Sequence, residues 1–151
     1  MSTIHVPHAI QGVAQGLHHV AIAVKSLAEA RGAYELALGL VATEPEFVPD
    51  QRVNVLVLYA GSQRIELVEP ASPDSPITKF LEKTGGGIHH LAWSVRDVAA
   101  AISHLKSHGV RMIDEAPRPG AHGTTIAFVH PKSTGGVLME LVQEPRGGHP
   151  A

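Results

Sequence analysis

Two stretches of the chain carry one pattern. Residues 17–24 read LHHVAIAV and residues 88–95 read IHHLAWSV. Each runs from a His-His pair into an apolar segment of strand length, bounded by Gly16 in the first case and by TGGG (84–87) in the second. The period then changes from two to 3.6. In the first copy Ser26 stands as an N-cap with Glu29 three residues on, and Leu27, Ala30, Tyr34 and Leu38 recur at helical spacing up to Gly39. In the second copy Asp97 is the N-cap, Val98, Ala101, Ile102 and Leu105 form the stripe, and Gly109 is the stop. Further strands follow in parallel. LGLVAT (38–43) echoes HGVRMI (108–113), VNVLVLYA (53–60) echoes TIAFVH (125–130), and RIELVEP (64–70) echoes LMELVQEP (138–145).

The repeating unit is therefore βαβββ, used twice. The pattern predicts an α+β fold in which two tandem βαβββ modules form a curved mixed sheet around a metal-binding cleft. An N-terminal arm covers 1–16, the first module 17–70, a linker 71–87, the second module 88–145 and a tail 146–151. Within the linker, Ser75 with Pro76 behind it predicts a short helix.

The repeat also selects candidate chemistry. Each module offers a His on its first strand and a Glu on its last. Strand alternation puts His19 with Ala21 and Ala23 on a face of small residues, and His18 with Val20, Ile22 and Val24 on a bulky one. His90 shares the parity of Ala92 and Ser94, so His18 and His89 are left with packing or with orienting a neighbour. Glu66 and Glu140 lie inside apolar strands, where an unpaired carboxylate is costly. A divalent metal would compensate both. His19, Glu66, His90 and Glu140 make a mixed nitrogen and oxygen set suited to Co, Mn, Ni, Zn or Fe(II), with positions left for a substrate that chelates through oxygen.

Composition narrows the alternatives. The chain has 151 residues, enough for one compact domain, and 44% are hydrophobic, as in soluble globular proteins. A net charge of −2 without a basic run argues against a nucleic-acid partner. No apolar run reaches the roughly 18–20 residues of a membrane span. The opening MSTIHVPHAIQGVAQG has neither signal nor transit character. The absence of cysteine removes thiolate chemistry and fits a cytoplasmic setting.

These residues resemble the vicinal oxygen chelate (glyoxalase-like) superfamily. More narrowly, HHVAIAV, IELVEP, DSPITKFLEKTGGGIHHLAWSV, GVRMIDEAPRPGAHG and HPKSTGGVLMELVQ resemble the methylmalonyl-CoA epimerases from about residue 17 to 145. The resemblance implies a metal-dependent epimerase interconverting (2R)- and (2S)-methylmalonyl-CoA through a stabilised enolate. It places one divalent ion per chain, cobalt first, on His19, Glu66, His90 and Glu140. It implies an acyl-CoA substrate, a homodimer, and Glu140 and Glu66 as acid/base residues. Some epimerases carry a Glu in the strand matching 53–58, where this chain has Asn54 and Val55, so Glu66 is preferred as second base over Glu44 or Glu46. His122, in the turn RPGAHG, is a candidate contact for the substrate carboxylate. Lys132, Ser133 and Thr134, in HPKSTGG, are candidates for the carboxylate or for the coenzyme A phosphates. A lactoylglutathione lyase-like isomerase and a non-catalytic binding protein of the same fold are the alternatives. A ring-cleaving dioxygenase fits less well, because such sites use two His and one carboxylate and would leave Glu66 surplus.

Overall fold

A computed structural model describes residues 12–145; residues 1–11 of the expected arm and the expected tail at 146–151 lie outside the described residues. Nine strands form one sheet. The first half contains β1 (Gly16–Ala23), β2 (Val41–Ala42), β3 (Glu46–Val48), β4 (Val53–Ala60) and β5 (Gln63–Pro70). The second contains β6 (Gly87–Ser94), β7 (Arg118–Pro119), β8 (Thr125–Val129) and β9 (Met139–Gln143). The order across the sheet is β2-β4-β5-β1-β6-β9-β8-β7, with β3 also on β4. Each half has a parallel pair, β1 with β5 and β6 with β9, while β1 and β6 join the halves antiparallel. Apart from β3, exchanging the halves maps the strand order onto itself, so the sequence repeat is a spatial pseudo-twofold. The mixed, curled sheet with flanking helices agrees with the α+β expectation.

The helices form where the caps and stripes predict. Helix α1 (Leu27–Gly32) starts at Ser26, whose hydroxyl accepts from the backbone N–H of Glu29. Its last stretch, 33–37, widens into a π turn before Gly39 reverses the chain at φ +75°. Helix α3 (Val98–Ser107) is capped by Asp97 through Ala100 N–H. Helix α2 (Pro76–Thr84) begins at Ser75 and ends at left-handed Gly85.

Strand alternation divides the apolar residues between the two faces of the sheet. Leu56, Leu58 and Leu67 pack with Leu27 of α1, while Ala127, Val129 and Leu141 pack with Val98, Ala101 and Ile102 of α3. The opposite face carries Val53, Val55, Val57 and Val68 and receives Ile77 of α2. This face lines a cleft of about 290 Å3.

Gly86, at φ +122°, returns the chain from α2 to β6, and a Cβ there would lie 3.1 Å from the Ala23 carbonyl oxygen. Gly86→Ala should therefore cost about 1–3 kcal/mol of stability, the usual cost of one strained residue. A chemical denaturation curve measures it, and an unchanged midpoint would show that the return turn tolerates a side chain.

Candidate metal centre

The site is built from two rows of neighbours across the sheet. Ala21 lies opposite Glu66 on its parallel side and opposite His90 on its antiparallel side. Ala92 likewise lies opposite His19 and Glu140. Cross-strand neighbours point to the same face, so all four polar side chains surround two alanines that are fully buried. The small residues leave the room that the imidazoles and carboxylates fill.

His19, Glu66, His90 and Glu140 are all buried. Nε2 of His19 and Nε2 of His90 each lie 3.2 Å from the same Glu140 oxygen, yet neither buried nitrogen has a hydrogen-bond partner. His19, His90 and Glu140 place ligand atoms within 4.8 Å of one another. Glu66 approaches the other nitrogen of His19, with Oε2 3.1 Å from Nδ1. Buried imidazole nitrogens left unsatisfied around a carboxylate fit a bound cation. The nitrogen and oxygen donor set fits a divalent transition metal.

The outer histidines differ from strict alternation. The β1–β6 register slips between Leu17 and His19 and again between Ala21 and Ile22, so His18 and His89 are the extra residues of two β-bulges. Each bulge turns its imidazole back onto its neighbour. The Nδ1 atoms of His18 and His19 are 2.7 Å apart, and those of His89 and His90 are 2.8 Å apart. His18 thus lines the cleft rather than the bulky face predicted for it. Both outer rings engage the Nδ1 side of a neighbour whose Nε2 faces Glu140, an arrangement that orients an imidazole ligand.

Electrostatics separate the two carboxylates. Burial raises Glu66 above the usual carboxylate range, which His19 only partly offsets. Burial acts the same way on Glu140, but His90 and His19 outweigh it and hold that group far below its ordinary value. Burial would lower His19, yet Glu66 and Glu140 raise it. His89 is pushed down to about 4 by burial and then by His90, so it is neutral near pH 7.

The other candidates divide. His122 lines the cleft in a left-handed conformation, φ +56°, with its backbone N–H donating to Glu46 Oε2 at 2.9 Å. Glu46 thereby anchors the 120–123 turn to the first half of the sheet. Gly120 is required in that turn, because a Cβ would come within 2.5 Å of the Thr124 hydroxyl. Lys132, Ser133 and Thr134 do not reach the cleft wall. The Ser133 hydroxyl accepts from Arg111 N–H, and that of Thr134 donates to the Val137 carbonyl, so both hold their own loop. Asn54, at the departure noted in the sequence, is bound to Glu69. Arg64, Glu144 and Phe128 line the cleft without having been anticipated. Arg64 and Glu144 share parity with Glu66 and Glu140, which is the signal that would have found them.

Comparison with known proteins follows the same lines. Residues 18–128 match the model of the Glyoxalase/Bleomycin resistance protein/Dioxygenase superfamily. The ethylmalonyl-CoA/methylmalonyl-CoA epimerase of Cereibacter sphaeroides is 43% identical over 129 residues, covering 84% of this chain and 96% of that protein. The crystal structure of methylmalonyl-CoA epimerase from Mycobacterium tuberculosis superposes with a TM-score of 0.84 at 39% identity, covering 88% of this chain and 90% of that one. A Streptomyces coelicolor methylmalonyl-CoA epimerase variant, in complex with 2-nitronate-propionyl-CoA, superposes with a TM-score of 0.84 at 31% identity, covering 89% of this chain and 97% of that one.

Two outcomes are expected. Calorimetric titration with Co(II) should show binding to His19→Ala and His90→Ala weakened at least about 100-fold, beyond the 10–100-fold typical of changes outside the ligands themselves. Wild-type affinity in either variant would remove that residue from the site. The second outcome concerns acid. The folded value of His89 lies below its ordinary 6.5, so between pH 6.5 and about 4 the unfolded chain binds the proton first. Stability contributed by neutral His89 is complete above that window and lost as pH falls through it, by up to about 3 kcal/mol. Urea midpoints of the metal-free protein, measured against pH, should show a shallower acid slope in His89→Asn.

Proposed function

The chain belongs to the glyoxalase/bleomycin resistance protein/dioxygenase superfamily, and from that premise we propose that it is a methylmalonyl-CoA epimerase interconverting the (2R) and (2S) thioesters. The observation that carries this reading is the pair of buried carboxylates, Glu66 and Glu140, on pseudo-equivalent strands flanking the His19–His90 pair in one cleft. Epimerisation requires that a proton leave one face of C2 and return to the other. Two carboxylates from opposite halves of a pseudo-twofold site suit that demand.

In this reading Glu140 takes the C2 proton through a carboxylate oxygen and the C–H electron pair moves onto the thioester. Glu66 delivers a proton to the opposite face, and the reverse reaction exchanges the roles. His19, His90 and Glu140 would hold a divalent ion, with Glu66 completing the set on leaving His19 Nδ1, and the ion would supply positive charge for the negative charge that develops on the thioester oxygen. Cobalt is our first choice, with Mn, Ni, Zn or Fe as alternatives. His122 lies close enough to Glu66 to bias its charge and helps close that side of the cleft. The valine wall of β4, with Ile77, takes the alkyl substituent and excludes water from the reacting carbon. No helix among the described residues is long and apolar enough to cross a membrane. We place the enzyme as a homodimer acting on a diffusible acyl-CoA in the turnover of propionyl-derived units.

The test is proton exchange in deuterated water. Metal-loaded protein given (2R)-methylmalonyl-CoA should incorporate deuterium at C2 and yield both epimers, followed by NMR. Glu140→Gln should slow exchange by about 100-fold or more, within the usual range for loss of a general base. Absence of exchange with every first-row divalent metal would overturn the assignment. A product formed instead from a glutathione hemithioacetal would point to the lyase-like chemistry.

A further inference from the structure

The pseudo-twofold relating the two halves is broken beside the metal ligands, and the break gives the cleft a direction. Arg64 stands two residues before Glu66, and its counterpart two residues before Glu140 is Leu138. Glu144 stands four residues after Glu140, and its counterpart four residues after Glu66 is Pro70. All of these except Pro70 line the cleft. The outer histidines follow the same division. His18 meets charge, with Nε2 2.5 Å from Glu144 Oε1 and in contact with the Arg64 guanidinium. His89 meets an aromatic ring, packing edge-on against Phe80 at 4.8 Å.

We propose that Arg64 is the specificity-determining residue that seats the free carboxylate of the acyl group, and that Glu144 occupies this seat when no substrate is bound. The inference rests on the epimerase reading and deepens it. Four observations support it. First, the guanidinium already holds a carboxylate, with Arg64 Nη1 2.9 Å from Glu144 Oε1. Second, Arg64 is placed rather than waving in solvent: its side chain is only 15% exposed, and its guanidinium carbon lies 5.7 Å from the centre of the Tyr59 ring. A planar guanidinium held in this way recognises carboxylates with little further loss of freedom. Third, Glu144 is the looser partner at 43% exposure, beyond the end of β9, so it can leave while Arg64 stays. Fourth, the Arg64 guanidinium stands one imidazole, that of His18, from the candidate ligand His19. Nη1 is 3.3 Å from His18 Nδ1, which is 2.7 Å from His19 Nδ1. A malonyl thioester carries its carboxylate and its thioester carbonyl on the same carbon, so a carboxylate seat must share one cleft with the metal ligands, as Arg64 does with His19.

The remaining charged side chains do not compete for this role. Arg118, also in the cleft wall, is tied to Asp50 and Asp114 of the chain. His122, the contact expected from the sequence, sits in a turn anchored by Glu46. Among the described residues that line the cleft, Arg64 combines permanent charge with a single carboxylate partner, whereas Arg118 has two. Seating the carboxylate against Arg64 leaves the apolar cleft wall, with the β4 valines and Ile77, to the alkyl group. A symmetric pair of modules thereby binds an asymmetric acyl group in one orientation.

Competition binding to the metal-loaded protein tests this with two probes, methylmalonyl-CoA and propionyl-CoA, which differ by the carboxylate alone. Arg64→Gln should weaken methylmalonyl-CoA roughly 10–100-fold, the scale of one charge-assisted contact, and leave propionyl-CoA within about 3-fold. Arg64→Lys should fall between wild type and Arg64→Gln for the first probe. Glu144→Gln should tighten methylmalonyl-CoA several-fold with no change for propionyl-CoA. Equal weakening of both probes by Arg64→Gln, or none of either, would overturn the proposal. Should circular dichroism show Arg64→Gln misfolded, Glu144→Gln decides alone, and unchanged methylmalonyl-CoA affinity in it counts against the seat. Failure of the epimerase reading is separate: it shows as wild-type protein that binds methylmalonyl-CoA and exchanges no C2 proton.

Discussion

The antiparallel seam between β1 and β6 is the contact on which the site depends. It joins the two halves of the sheet and sets the register that brings His19 opposite Ala92 and His90 opposite Ala21. The parallel neighbours β5 and β9 then carry Glu66 and Glu140 to the same two alanines. A slip of one residue along this seam would turn one histidine away from the other and from the carboxylates, because the side-chain period of a strand is two. Pairing the halves and assembling the ligands are therefore one event.

The bulges at His18 and His89 qualify that rule without breaking it. Each adds one residue and lets two consecutive histidines meet through their Nδ1 atoms. The first bulge shifts the pairing by one residue from His19 to Ala21 and the second restores it, so both inner imidazoles face Glu140. Bulges commonly re-aim side chains next to functional sites, and here they do so twice in equivalent places. The consequence is a dense buried cluster whose imidazoles and carboxylates offset one another. The two Glu diverge, one raised and the other lowered, although their strands are equivalent. Symmetry of the backbone does not carry over to the charge environment, because Glu140 has both imidazoles at 3.2 Å and Glu66 has one at 3.1 Å.

Much of the fold was legible because local signals agreed with the global arrangement. The doubled His-His blocks, the caps at Ser26, Ser75 and Asp97, and the glycines at 39 and 109 mark elements that form where expected. The widening of α1 into a π turn carried no separate signal. Alternation aimed Glu66, Glu140, His19 and His90 correctly toward one face, yet it misplaced His18, since a bulge depends on the partner strand and is invisible in one strand alone. The HPKSTGG loop looked like an anion cradle, but the Ser133 and Thr134 hydroxyls are engaged in holding the turn. Composition of a loop does not say which of its donors remain free.

By itself the sequence determined the repeat, the period of each element, and the four residue types in symmetric places that a divalent metal favours. These are local properties, readable from spacing and from the cost of a carboxylate inside an apolar strand. Only the tertiary structure decided that the two Nε2 atoms share one Glu140 oxygen, that Glu66 closes on the other side of His19, and that Arg64 meets Glu144 from the far end of the chain. Those facts depend on which strands become neighbours and in what register. Residues remote in sequence share a burial environment only after the sheet has closed on itself, and that environment sets their charge.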